Sequence, residues 1–205
     1  MLGREASDEK ETARTEAFSD GIFTIAITLL VLNLRDPILS GGSSLAQGLI
    51  DQWASFFALI TSFVTILIMW MNHHNMFNYI HRVDRRVMLM NGLLMLFVVL
   101  TPFTTSLVAS HISTGDSEVA AGVYSGTFLL LAFVWNGLWR YSTAGHRLLG
   151  KDVTDEQVET IKRQYLVAPV FYGAAFVISF FSGLASVVVI LAVAGFFAVT
   201  ATLGK

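Results

Sequence analysis

Cysteine is absent from the 205 residues, which removes disulfides, thiolate metal sites and thiol nucleophiles together. Charge is scarce. Asp, Glu, Lys and Arg make up 14% of the chain against 54% hydrophobic residues, and the mean hydropathy is +0.64. A water-soluble globular domain carries about 25% charged residues, so this balance argues against one. The net charge of −2 comes with no concentrated basic stripe, and nucleic acid is not an expected partner. The opening MLGREASDEKETAR is polar and mixed in charge, unlike the basic stretch followed by an apolar core of a secretory signal peptide.

What the chain does have is long uncharged tracts. No Asp, Glu, Lys or Arg lies between Asp51 and Arg82, between Arg86 and Asp116, between Glu118 and Arg140, or from Gln164 to Gly204. Each is long enough to cross ~30 Å of hydrocarbon as a helix of ~20 residues, whereas membrane strands are shorter and alternate in polarity. The expectation is an all-α membrane protein in a lipid bilayer: a cytoplasmic segment 1–13, then a transmembrane domain 14–205 with helices near 14–35, 52–81, 87–110, 118–142, 163–181 and 183–203. The last tract is too long for one helix, and Ser179-Phe-Phe-Ser-Gly183 is its break. Pro102 and Pro169 fall inside spans three and five, where each frees a carbonyl that a neighbour must satisfy.

Lys and Arg collect on every second connection. Arg4, Lys10 and Arg14 precede helix one; Arg82, Arg85 and Arg86 join helices two and three; Arg140, Arg147, Lys151, Lys162 and Arg163 join four and five. Because such residues accumulate on the cytoplasmic side, six spans with both termini inside a cell (inner) membrane are expected. The stretch from Gly41 to Gln47 reads as a flexible outer loop, and Asp152 to Lys162 as an amphipathic segment on the inner side.

The charge-free part of helix one, Gly21 to Leu34, rises only about 21 Å. The turn from Glu16 to Asp20 therefore dips below the inner interface, where ionisable groups are costly and face protein or water. In helical projection Glu16 and Asp20 share one face with Ser19 beside them, while Ile25, Leu29 and Leu32 lie opposite with Gly21, Phe18 and Arg14. Helix two descends the other way and brings Trp70, Asn72, His73, His74 and Asn75 roughly level with Asp20. A carboxylate and imidazoles at matched depth suggest a buried hydrogen-bond network that clamps helix one. The same cluster of Asp20, His73 and His74 is open to use as a proton-coupled site in a secondary transporter, although no second, repeat-related broken helix accompanies it. His73, His74 and His81 form no established metal motif, so neither a metal site nor enzyme activity is expected.

The run Arg14-Thr-Glu-Ala-Phe18-Ser19-Asp20, followed by Gly-Ile-Phe-Thr-Ile-Ala-Ile-Thr-Leu-Leu-Val-Leu, resembles the R-x-x-x-F-S-D signature opening the first helix of the transmembrane protein 175 family of potassium channels, in its bacterial and archaeal form. The resemblance implies a homotetramer with helix one lining a central pore, K⁺ as the permeant ion among monovalent cations, and no cofactor. It implies a constriction of bulky apolar side chains, and no TVGYG-like carbonyl filter is present. Carried over by distance from the motif, Ile25 is the first constricting residue, Thr28 a threonine layer, and Leu29 and Leu32 the next layers outward. Arg14, Phe18, Ser19 and Asp20, with Trp70 and either His73 or His74, would hold the inner half of helix one. An isoleucine ring offers an ion no replacement ligand and penalises the more tightly hydrated Na⁺ more than K⁺. A modest K⁺ preference follows.

Overall fold

In hydrocarbon every backbone N–H and C=O must bond inside the protein, and a helix does so within its own segment. The computed structural model describes residues 2–37 and 44–203, and side chains over 10–37 and 44–197. Seven α-helices occur among the described residues: α1 (Leu2–Leu29), closed by a 3₁₀ turn at Leu30–Asn33, α2 (Leu45–Asp51), α3 (Trp53–Tyr79), α4 (Arg85–His111), α5 (Ser117–Thr143), α6 (Asp155–Ser179) and α7 (Gly183–Leu203). The described residues form no strands, only an isolated bridge between Ile80 and Leu149. Among the described residues four segments are long and apolar enough to cross a membrane: Lys10–Asn33, Trp53–Tyr79, Arg85–His111 and Ser117–His146, with a shorter apolar helix at Gly183–Phe197. This is an all-α membrane protein.

Three features depart from the outline drawn from the sequence. α1 starts at Leu2 rather than near Arg14, because the polar opening is rich in Ala, Glu, Lys and Arg, which are strong helix formers with nothing behind them to break the helix. The segment from Asp152 to Lys162 is not a separate interfacial piece. Thr154 and Gln157 form a capping box, so the helix starts at Asp155 and continues through the charged turns into the apolar part of α6. Of the loop from Gly41 to Gln47, residues 41–43 lie outside the described residues, and the remainder enters α2, where the Ser44 hydroxyl accepts the Gln47 N–H at 3.2 Å.

α5 sits centrally, packed on α4, α6 and α7, while α1 packs chiefly on α3 and α4. Gly183 is required where α7 begins, since a Cβ there would collide with the backbone carbonyl of Ser117. Ser62 on α3 bonds the Thr105 hydroxyl of α4 at 2.7 Å and the Tyr124 hydroxyl of α5 at 2.9 Å, a polar knot joining three helices in an otherwise apolar interior. Pro169 cannot donate to the carbonyl four residues back, which is that of Tyr165. The Asn136 amide of α5 donates to this orphan at 2.9 Å and to the Ala132 carbonyl at 2.9 Å. Asn136→Leu should therefore destabilise the protein by about 1–3 kcal/mol by leaving a buried carbonyl unpaired. Adding Pro169→Ala should restore much of the loss by returning the helical N–H, a recovery checked by thermal unfolding in detergent.

Candidate functional site

Among the described side chains, the buried residues of α1 and its closing 3₁₀ turn are Thr12, Thr15, Ser19, Phe23, Ala26 and Leu30, spaced by threes and fours so that they form one stripe against α3 and α4. The opposite face is uncovered. Phe18, Ile25 and Leu32 are 62%, 58% and 69% exposed, and Leu29 is exposed as well. Gly21, Thr24 and Thr28 share this outer face. Both threonine hydroxyls donate to their own helix, Thr24 to the Asp20 carbonyl at 2.8 Å and Thr28 to the Ile25 carbonyl at 2.9 Å. With the hydrogens committed, the oxygen lone pairs remain free to accept or to face a cation.

The inward face is anchored by three separate contacts. Ser19 is fully buried; its hydroxyl donates to the Thr15 carbonyl at 2.9 Å and accepts from the Asn91 amide of α4 at 2.9 Å. The Asn91 carbonyl oxygen is 2.8 Å from Nε2 of His73 on α3. Because the amide nitrogen is committed to Ser19, its oxygen must accept, and His73 carries the proton on Nε2. The imidazole packs on the rings of Phe23, Phe77 and Trp135 at 5.4, 4.6 and 6.1 Å between centroids. Beside this bridge, Trp70 Nε1 donates to Asp20 at 2.8 Å. Nδ1 of His74 lies 2.7 Å from Glu16 at the more exposed edge.

Asp20 therefore meets neither histidine directly. Adjacent residues on α3 point about 100° apart, so His73 and His74 cannot both face one carboxylate. Trp70 and His74 are one turn apart and share a face, as are Glu16 and Asp20 on α1. Since the two helices run in opposite directions, the ladders match as Trp70 with Asp20 and His74 with Glu16. Arg14 makes no hydrogen bond or ion pair among the described residues. It opens onto a groove of about 380 Å³ between α1 and α4, with Glu11, Thr15, Phe18, Met88, Asn91 and Gly92 on its walls. Asn91 escaped the sequence reading. Its signal was available, because a lone amide inside an otherwise apolar span needs a partner. Among the described residues no group of three His, Asp or Glu side chains could hold a metal ion.

Near the start of its membrane-crossing segment α1 is tied to the connection between α3 and α4, which is itself tied to the connection between α5 and α6 at the same end of the bundle. Thr12 donates to the His81 carbonyl at 3.1 Å. The His81 and Arg82 amides donate to the Leu148 carbonyl, and the Gly150 amide to that of Tyr79, at 3.0–3.1 Å. Asp84 secures the joint. One carboxylate oxygen caps α4 through the Arg86 and Val87 amides at 3.0 and 2.9 Å, and the other accepts from the Tyr141 hydroxyl at 2.7 Å and the Arg147 guanidinium at 3.0 Å. Burial pushes the Asp84 carboxyl up, but the bonds from Tyr141, Val87 and Arg147 outweigh it and hold the group below its ordinary 3.8.

The family description "Endosomal/lysosomal potassium channel TMEM175" matches residues 14–102, starting on Arg14 of the signature. A potassium channel of Chamaesiphon minutus is 42% identical over 196 residues, covering 95% of this chain and 97% of that relative. The chain belongs to the TMEM175 family. A further relative, a potassium channel of Streptomyces collinus, is 37% identical over 172 residues, covering 82% of this chain and 84% of its own length. The crystal structure of a lysosomal potassium-selective channel TMEM175 homolog from Chamaesiphon minutus matches with a TM-score of 0.86 at 39% identity, over 94% of this chain and 99% of that one. TMEM175 is a family of channels, not of enzymes.

Two outcomes test the anchors. Asn91→Ala strands Ser19 and His73 in the interior and should cost about 1–3 kcal/mol, whereas His74→Ala, at a partly exposed pair, should cost less than about 1 kcal/mol; thermal unfolding of the two variants ranks them. Asp84 is lowered in the folded state, so its stabilising effect is present above its ordinary value of 3.8 and is lost as pH falls through the lowered one. The stability deficit of Asp84→Ala relative to the parent should be constant from pH 7 to 5 and shrink only below about pH 4.

Proposed function

We propose that this chain forms a homotetrameric, potassium-permeable channel in the cell membrane, with the uncovered face of α1 lining a central pore. The carrying observation is the asymmetry of α1: Glu16, Ser19 and Asp20 are spent on α3 and α4, and the stripe of Phe18, Ile25, Leu29 and Leu32 is left uncovered. Two similar proteins are potassium channels. Six spans, α1 and α3 to α7, place the basic connections at 82–86 and 140–151 at one end with the start of α1. That end is cytoplasmic by the distribution of Lys and Arg.

In this reading four Ile25 side chains form the narrowest ring, with Leu29 and Leu32 continuing outward. The ring supplies no oxygen, so a cation crosses it only by shedding or distorting its hydration shell, and Na⁺ loses more than K⁺. Thr28, whose hydroxyl hydrogen is already bonded to the Ile25 carbonyl, presents oxygen lone pairs one turn along and offsets part of that loss. Arg14, Phe18, Ser19, Asp20, Trp70, His73 and His74 hold the inner half of α1 or border it. No observation favours the proton-coupled transporter, because Asp20, His73 and His74 each have a different partner.

Purified protein in a planar bilayer should give unitary currents whose reversal potential shifts toward K⁺ in a K⁺/Na⁺ gradient; strictly coupled flux without such currents refutes the channel. Ile25→Asn should wet the ring and bring the K⁺ and Na⁺ permeabilities closer together. An unchanged permeability ratio would remove Ile25 from the constriction.

A further inference from the structure

The joint between α4 and α5 at the basic end of the bundle carries more cationic chemistry than the fold requires. Arg85 and Arg86 are the first two residues of α4, immediately before the uncharged run that starts at Val87, so this turn marks where the helix enters hydrocarbon. Across from it, Tyr141 lies in the last residues of α5. The guanidinium carbons of Arg147 and Arg86 lie over the Tyr141 ring at 4.8 and 6.0 Å from its centroid. Arg147 is fixed in place by Asp84 at 3.0 Å, yet its side chain stays half exposed. Arg86 is exposed and has no ion pair among the described residues.

The Asp84 carboxylate is already consumed. Both oxygens of Asp84 are occupied by two amides, a phenol and a guanidinium. Asp84 pairs with Arg147, and Arg85 and Arg86, both exposed at the edge of the apolar zone, add two further positive charges. Above Arg85 along α4, at helical spacings of four, four and three, run Leu89, Leu93 and Leu96, all exposed, so an apolar track leads away from the guanidinia on the same face. A free anion would use the charges alone. A molecule with an anionic head and a hydrocarbon tail uses both.

We propose that Arg86 and Arg147, flanking the Tyr141 ring, form a binding site for the phosphate of an anionic glycerophospholipid of the inner leaflet, with an acyl chain lying along Leu89, Leu93 and Leu96. Guanidinium is suited to phosphate because its planar N–H fork bonds two oxygens at once. A zwitterionic lipid carries the same phosphodiester, but its own ammonium neutralises the phosphate and is repelled by the surplus arginine charge. The selectivity is therefore for net headgroup charge. The site does not depend on whether the chain conducts.

The experiment is native mass spectrometry of the full-length protein in a nonionic detergent, titrated with phosphatidylglycerol or with phosphatidylcholine of the same chains. Phosphatidylglycerol should be retained preferentially, at one tight adduct per chain. Arg86→Gln, which keeps the backbone amide that Asp84 caps, should weaken that adduct about fivefold and leave phosphatidylcholine adducts unchanged. Arg163→Gln, which removes a basic charge that lies on α6 within 3.6 Å of Glu159, should preserve the preference, and millimolar inorganic phosphate should fail to displace the lipid. Equal retention of the two lipids, an Arg86→Gln variant that keeps the full preference, an equal loss in Arg163→Gln, or displacement by inorganic phosphate would each overturn the site.

Discussion

The amide of Asn91 joins Ser19 of α1 to His73 of α3 from a position on α4, and the rotation of α1 about its own axis depends on that bridge. Inside a membrane the hydrophobic effect does not decide which way a helix turns, because lipid tails are as apolar as leucine. Hydrogen bonds and close packing decide it. With Ser19 committed to the interior, Thr12, Thr15, Phe23, Ala26 and Leu30 follow it inward by helical periodicity, and Ile25, Leu29 and Leu32 are carried to the opposite side.

Part of the polarity of α1 is thus turned toward protein, through Ser19 and Asp20, while Ile25, Leu29 and Leu32 are turned away. Side contacts reinforce the orientation: Trp70 with Asp20 and His74 with Glu16 form a two-rung ladder between antiparallel helices. Ladder and bridge differ in environment, since the Glu16 and His74 pair is partly exposed while Ser19, Asn91 and His73 are buried. The buried bridge consequently carries most of the positional information, and the ladder trims it.

Further toward the basic end, α1 is bonded through Thr12 to the connection between α3 and α4, which is itself bonded through Leu148 and Gly150 to the connection between α5 and α6. Asp84 sits where these pieces meet and serves as helix cap, phenol acceptor and guanidinium partner together. The backbone hydrogen bonds make this end a single stitched unit, so a change in the α5–α6 connection reaches α1 through few intermediaries. Proline in α6 is handled by the same economy of polar groups, with the orphaned Tyr165 carbonyl met by Asn136 of the neighbouring helix.

Sequence alone fixed what one-dimensional patterns can carry. Charge-free tracts longer than a bilayer is thick force helices, the alternation of basic connections orders their direction, and the signature from Arg14 to Asp20 points to the family. It also put Ile25, Leu29 and Leu32 on the face away from Asp20, because helical periodicity is local. It did not reach the partners. Asn91 lies 72 residues from Ser19 in the chain, and matched depth could not separate His73 from His74, since depth is one coordinate and a hydrogen bond needs three. Only the packing of α1 against α3 and α4 gave Asp20 to Trp70, gave His73 to Asn91 and left Arg14 facing an open groove, because these choices depend on the rotation of each helix about its axis, which is a property of the neighbours and not of the helix.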